Sequence, residues 1–292
     1  MLMLSKILEF GLNLPEMTKR LFSFFILTFL IQFSYSQEKS FGYGTSNVGA
    51  LRYYEKGWEY ILDNGEWQKA EDAFRSAVAK DPEFLLGWSQ VGRISHDPEE
   101  RAAIFTKLQQ QKEKLKGWEK ALLEVYLTSL EIIDAKDRGI PITPEKVQSF
   151  YGISEQHFSE FLKHYPHERY VHAEYIEVIH GIYGAQGGLD SLEKHQKEGL
   201  ELIPFLMSYQ AQLLSETKEF EQALKTTLQL EKRLDNPDLP IIPFIYGYIA
   251  FEKSEYEVAA MLIDKTLSLD PKHVIAQRLQ KKIHDQLGIR DN

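Results

Sequence analysis

The sequence predicts an all-α fold of stacked antiparallel helix pairs, and three observations predict it. Ala70, Phe74 and Ala77 follow one another at i, i+4 and i+7, so a small, a large and again a small side chain share one helix face. Asn64-Gly65 supplies a tight turn ahead of that helix, and Asp81-Pro82 ends it, because proline disfavours α geometry in the residue before it. The same order of residues returns near the C-terminus, in "YGYIAFEKSEYEVAAMLIDKTLSLDP". A neighbouring helix can approach such a face closely at the alanines while the phenylalanine fills the space between, so the spacing serves packing.

Ahead of the helices, Met17-Thr18-Lys19-Arg20 places two cations before the apolar run Leu21 to Phe33, which gives way to Ser34-Tyr35-Ser36-Gln37. That is the three-part layout of a secretory signal, and the apolar run is shorter than the roughly 20 residues a membrane-spanning helix needs. Residues 1–36 therefore read as a signal peptide cleaved after Ser36, with translation starting at Met17. The aromatic-rich run ending in Ser-Gln resembles signal sequences of the Bacteroidota. The expected location is across the inner membrane, periplasmic or extracellular. A flexible linker is expected over 37–47, the helical stack over 48–287, and a short tail over 288–292.

Within the stack, Trp67 caps the layer opened by the Asn64-Gly65 turn, and a new helix follows Pro82 with Trp88, Val91 and Gly92 on one face. Asp97-Pro98-Glu99-Glu100 starts the next helix, with proline at its first position and acids complementing the N-terminal dipole. "WEKALLEVYLTSLEII" sets Leu123, Tyr126, Leu127, Leu130 and Ile133 on one face of a longer helix. Gly139-Ile140-Pro141 breaks the chain and Thr143-Pro144-Glu145 restarts it. Helices are then expected over Val147 to Tyr165, Glu168 to Tyr183 and Ser191 to Leu202, with Pro166 and Pro204 as stops and Gly184 to Gly188 as an interhelix turn. A polar helix from Lys272 to Leu287 closes the chain. Glycine inside a helix costs about 1 kcal/mol relative to alanine, so Gly57, Gly92, Gly181, Gly199 and Gly247 call for close helix approach.

These residues carry a resemblance to the tetratricopeptide repeats, whose pattern runs W-x2-L-G-x2-Y, then A-x3-F, then P. Ala70, Phe74, Ala77 and Pro82 match the second helix of one repeat, and Trp88, Val91 and Gly92 match the first helix of the next. Gly247, Tyr256, Ala259, Leu267, Asp270 and Pro271 match near the end, and Ala211, Phe220 and Ala223 one repeat earlier. Three departures stand out: Gly57, with Trp58 after it, is displaced by one place, Thr266 replaces an alanine, and Thr227 replaces an aromatic. The clearer repeats lie at about 51–95 and 204–272, with a divergent middle. The resemblance implies a right-handed superhelix of about six helix pairs plus a C-terminal capping helix. It also implies a concave groove, lined by first helices, that holds a protein or peptide partner. Mapped onto this sequence, the groove positions are Arg52, Glu55, Glu59, Ser89, Arg93, Ser208, Gln212, Ile245, Tyr248 and Phe251. Glu55 and Glu59 stand at two places of the basic clamp that some family members use for acidic C-terminal peptides, which argues against such a ligand there. Ile245, Tyr248 and Phe251 offer an apolar contact.

At 43% hydrophobic and 26% charged over 292 residues, the chain has the composition of a folded protein. The absence of cysteine excludes a disulfide framework, a thiolate metal site, a cysteine nucleophile and a lipoprotein anchor. The formal net charge of −9 becomes one unit more negative when the first 36 residues are removed, which disfavours phosphate backbones and anionic lipid. "KLQQQKEKLK", from Lys107 to Lys116, reads as a solvated helix face. The stretch "HYPHERYVHAEYIEVIHGIYG" holds His164, His167, His172 and His180 among Glu168, Glu174 and Glu177. It lacks H-E-x-x-H, and the single E-x-x-H pair of Glu177 and His180 has no second copy, so neither a zinc nor a di-iron site is expected. "GAQGG" lacks the ending of a phosphate loop, and no G-x-S-x-G elbow occurs. The expectation is a non-enzymatic secreted scaffold or adaptor without cofactor, binding a protein or peptide of the cell envelope. Two alternatives are an envelope hydrolase or metal-dependent enzyme using His172, Glu177 and His180, and a small-molecule or glycan-binding module.

Overall fold

The computed structural model describes residues 41–289, so the expected signal and the ends of the linker and tail lie outside the described residues. Those residues form twelve α-helices and no strand. In chain order these are α1 (Val48–Trp58), α2 (Trp67–Lys80), α3 (Leu85–Ile94), α4 (Pro98–Gln111), α5 (Gly117–Asp137) and α6 (Pro144–His164). They are followed by α7 (Arg169–Lys197), α8 (Pro204–Glu216), α9 (Phe220–Leu234), α10 (Ile241–Glu252), α11 (Tyr256–Leu269) and α12 (Val274–Leu287). Each helix packs on the next in sequence, and α3 with α5, α8 with α10 and α10 with α12 add contacts between alternate helices.

Residues 43–47, expected as a linker, are tied down. Tyr43 is buried against Tyr54, and Asn47 caps α1 at the amide of Ala50 while its amide nitrogen donates to Lys80 O. Beyond Trp58, α1 continues as a π-helical turn, Glu59–Asn64, that ends at Gly65 with φ 75°. This segment follows directly on the Gly57-Trp58 pair that stands one place out of the repeat pattern.

The small–large–small faces pack as their spacing requires. Ala70, Ala77, Ala211, Ala223 and Ala259 are fully buried, as is Phe74. A Cβ on Gly57 would stand 2.4 Å from the Phe74 ring, and one on Gly247 would stand 2.8 Å from Ile263. Gly92 faces Leu130 and Ile104, and Gly181 faces Tyr151 as closely. Close approach accounts for four of the five helical glycines. Thr227 and Thr266, the departures from pattern, are buried with their hydroxyls donating back to Ala223 O and Leu262 O, which satisfies them inside the helix. Asp81 and Asp270 end α2 and α11 in the same extended geometry, φ −140°, ψ 92° and φ −141°, ψ 98°. Trp88 is only half-buried; its indole donates to Pro82 O and Lys107 lies over its ring.

Three expectations about the middle require correction. Gly199 lies outside any helix, at φ 100°, because α7 ends at Lys197. Pro204 opens α8 at its first turn, where its missing N–H costs nothing, and so does not stop a helix. The "GAQGG" stretch does not separate two helices by a loop: α7 runs from Arg169 to Lys197 and kinks at Gly184, whose φ of 73° and ψ of −177° only glycine adopts readily.

The first helices also touch the last ones. The carboxylate of Asp270 accepts the amide N–H of Gln68 at 3.0 Å, and Lys272 pairs with Glu71 at 2.7 Å. Asp63 accepts the amide N–H of Phe205 at 3.2 Å, and Trp58 stacks on Tyr170. Neither α2 nor α8 has a side-chain cap from its own N-cap residue. Asp270 and Asp63 supply those caps from distant helices, with negative charge at the positive end of each helix dipole.

Candidate functional site

Because the two ends meet, the helices surround a cavity of about 610 Å3. Its wall takes Trp58, Ile61 and Leu62 from α1 and its π turn, Arg93 from α3, Ile133 and Lys136 from α5, and Glu174 and Glu177 from α7. Phe205, Ser208, Tyr209 and Gln212 of α8, Phe244 of α10 and Arg278 of α12 complete it.

One polar wall is built on α7, where Glu174, Glu177 and His180 recur at three-residue intervals. Glu174 is buried; one oxygen accepts from Arg93 at 2.7 Å and the other from the Tyr126 hydroxyl at 2.8 Å. Burial, and then the Glu174 carboxylate, push the Tyr126 phenol well up. Arg93 also donates to Gln90 and lies over the Tyr126 ring. Nearly two turns on, His180 contacts the Tyr209 hydroxyl at 2.7 Å and Glu216 at 3.0 Å, and Tyr248 donates to Glu216 at 2.6 Å. Burial alone would raise the Glu216 carboxyl, but the bonds from His180 and Tyr248 hold it below its ordinary value. Between these two networks stands Glu177, which has no hydrogen-bond partner among the described residues. Glu177 lines the cavity as an exposed residue. Desolvation by the surrounding wall, and then the charge of Glu174 one turn away, raise its carboxyl to about 7.

A second network joins α3, α4 and α5. The buried guanidinium of Arg101 donates to Gly92 O and Ser95 O, and it pairs with Asp137 at 2.8 Å. Near the meeting of the two ends, His273 packs on Trp67 and Phe244, and its Nδ1 accepts the amide of Ala276 as the cap of α12. Burial lowers its pKa to about 4, which keeps the ring neutral and able to accept.

The positions expected in a groove separate into four groups. Arg93, Ser208 and Gln212 line the cavity. Ser89 and Ile245 are fully buried, Ser89 with its hydroxyl on Leu86 O and Ile245 within the α8–α10 core. Tyr248 is held by Glu216, and Phe251 packs against the α10–α12 core; both are partly buried. Arg52, Glu55 and Glu59 do not line the cavity. His172 stands apart from Glu177 and His180. It is buried against Pro166 O and His195, and burial lowers its pKa to about 4, so the three cannot act as one cluster. Among the described residues no group of three or more His, Cys, Asp or Glu side chains is placed to hold a metal ion. No helix among them is long and apolar enough to cross a membrane.

Tyr209, Glu216 and Arg101 carry the site's hydrogen bonds without having stood out in the sequence, and Tyr126 stood out only as a member of an apolar face. Each is an ordinary residue of an amphipathic helix until the helices are assembled. The 3-residue recurrence of Glu174, Glu177 and His180 was the one available signal. In comparison with known proteins, no family model matches the chain and no curated protein matches it.

Proposed function

We propose that this chain is a secreted, non-enzymatic binding protein of tetratricopeptide-like build whose cavity holds a compact ligand, either a short extended peptide segment of a partner protein or a small organic molecule. The cavity carries this reading. Its volume of about 610 Å3 falls in the range of about 300–1,000 Å3 typical of small-ligand pockets. Its wall combines aromatic rings with a few fixed polar groups, which is the composition that orients a ligand. A short peptide segment of a partner is consistent with the protein or peptide partner expected from the repeat pattern. Further support comes from the order of the lining elements, since most wall residues lie on α1, α3, α5, α7, α8, α10 and α12. Counting the two parts of α7 as one pair, these are the first helices of six pairs and the terminal helix. The signal-like run at 17–36 supports secretion.

The test is site-specific photo-crosslinking in the native cells, with a photoreactive phenylalanine analogue replacing Phe205 in the cavity and, separately, exposed Leu228 on α9. An adduct of defined mass at position 205 and not at 228 is expected. Equal labelling at both, or none at 205, would overturn the reading.

A second reading rests on Glu177, whose pKa of about 7 suits a general acid or base. It would make the protein an enzyme acting on the cavity's occupant. The two separate on Glu177→Gln. A binding protein keeps or gains affinity for the crosslinked ligand, whereas an enzyme binds it unchanged and ceases to convert it.

A further inference from the structure

We propose that Lys136, Arg278 and Lys282 form an anion-binding site at the rim of the cavity, taking a carboxylate or phosphate group of the ligand held inside. The proposal rests on the reading of the cavity as a ligand site. Lys136 lies in the last turn of α5, Arg278 and Lys282 are one turn apart on α12, and both cations act on the charge of Lys136. Lys136 and Arg278 both line the cavity.

Among the described residues none of the three forms an ion pair or a side-chain hydrogen bond, in a chain with 43 acidic residues to 34 basic. Their neighbours are paired: Arg101 with Asp137, Arg93 with Glu174, Lys272 with Glu71 and Arg138 with Asp134. Two carboxylates that act on the trio are already engaged. Asp137, next to Lys136, is held by Arg101, and Glu216, which feels Lys282, is held by His180 and Tyr248. Burial and then the charge of Arg278 lower the pKa of Lys136; Asp137 opposes this and Lys282 adds to it, so like charges act on one another in the unliganded cluster. A bound anion would offset that repulsion. These cations stand on α5 and α12, away from Glu55 and Glu59 of α1. Their presence reverses, for the cavity, the expectation that an acidic ligand is disfavoured. Glu177 deeper in the wall would then face the ligand's hydrogen-bond donors or amine, giving the occupant a fixed polarity.

The test follows thermal unfolding of the full chain in millimolar inorganic phosphate and, in parallel, millimolar succinate, with sodium chloride holding ionic strength constant. A rise in melting temperature of about 2–4 °C is expected in at least one arm. A response to phosphate alone assigns the group as phosphate, and a response to succinate alone assigns it as carboxylate. The double variant Lys136→Gln, Arg278→Gln should lose the response while melting no lower than the parent without anion, because repulsion is relieved. Lys225→Gln, Lys232→Gln, on the outer helix α9, should keep it. No response in the parent, a response retained by the first variant, or a lower melting point of that variant without anion would each overturn the site. Crosslinking at position 205 is independent of these measurements, so loss of the anion site leaves the cavity reading open to its own test.

Discussion

The carboxylate of Asp270 accepts the backbone N–H of Gln68 at 3.0 Å, from 202 positions away, and so caps helix α2 from the far end of the chain. The other oxygen accepts the amide of Lys272 in the α11–α12 turn, so one side chain shapes a local turn and joins the two ends. In an open solenoid each repeat touches only its neighbours. Here the cap at α2 ties the first helices to the last, and Asp63 ties the π turn to α8, beside the open cavity.

Asp270→Ala should therefore lower stability by about 1–2 kcal/mol, the usual cost of a lost N-cap, and Asp270→Asn by less, since it keeps an acceptor. Chemical denaturation measures both. Hydrogen exchange at the Gln68 amide should accelerate in the alanine variant. Unchanged exchange there would show that the ends are held by other contacts.

Asp63 gives a pH-dependent prediction. Burial raises its carboxyl to about 6, while the Phe205 amide works in the opposite direction. A carboxyl with a raised native pKa holds its proton more tightly when folded, so its contribution falls as pH rises from about 4 to 6 and stays low above. Asp63→Asn removes the charge and keeps the acceptor. It should be more stable than the parent at pH 8 by about 2–3 kcal/mol, at about 1.4 kcal/mol per pKa unit. The difference should shrink to near zero by pH 4. Melting curves at the two pH values decide the matter, and a gain that is equal at both would count against the assignment.

Gly57 and Gly152 should respond in opposite ways to alanine. A Cβ at Gly57 meets the Phe74 ring at 2.4 Å, so Gly57→Ala must displace a core aromatic, at about 1–3 kcal/mol. Gly152 lies inside α6 with nothing within 4 Å of its missing Cβ. Gly152→Ala should stabilise by about 0.5–1 kcal/mol through helix propensity. Thermal unfolding of the pair provides an internal control.

Arg93→Met should destabilise the fold by about 2–3 kcal/mol, because it leaves the buried Glu174 carboxylate with only the Tyr126 hydroxyl. Arg93 and Tyr248 are two of the positions expected in a partner groove. Their bonds to Glu174 and Glu216 now make a stability loss the expected first effect. Denaturant midpoints of Arg93→Met and Tyr126→Phe, with the second much closer to the parent, would check the order.

The sequence by itself determined the helices and their local packing. The spacing of Ala70, Phe74 and Ala77, the Asp81-Pro82 and Asp270-Pro271 stops, and Gly57, Gly92 and Gly247 all record contacts between helices near in sequence. Such contacts leave a periodic trace because helical geometry repeats every 3.6 residues. The tertiary structure alone decided that the ends meet, that Arg93, Ser208 and Gln212 face a cavity while Ser89 and Ile245 are buried, and that Lys136 approaches Arg278. Closure depends on small rotations summed over twelve helices and on single carboxylates such as Asp63 and Asp270 meeting distant amides. Neither leaves a period in the sequence.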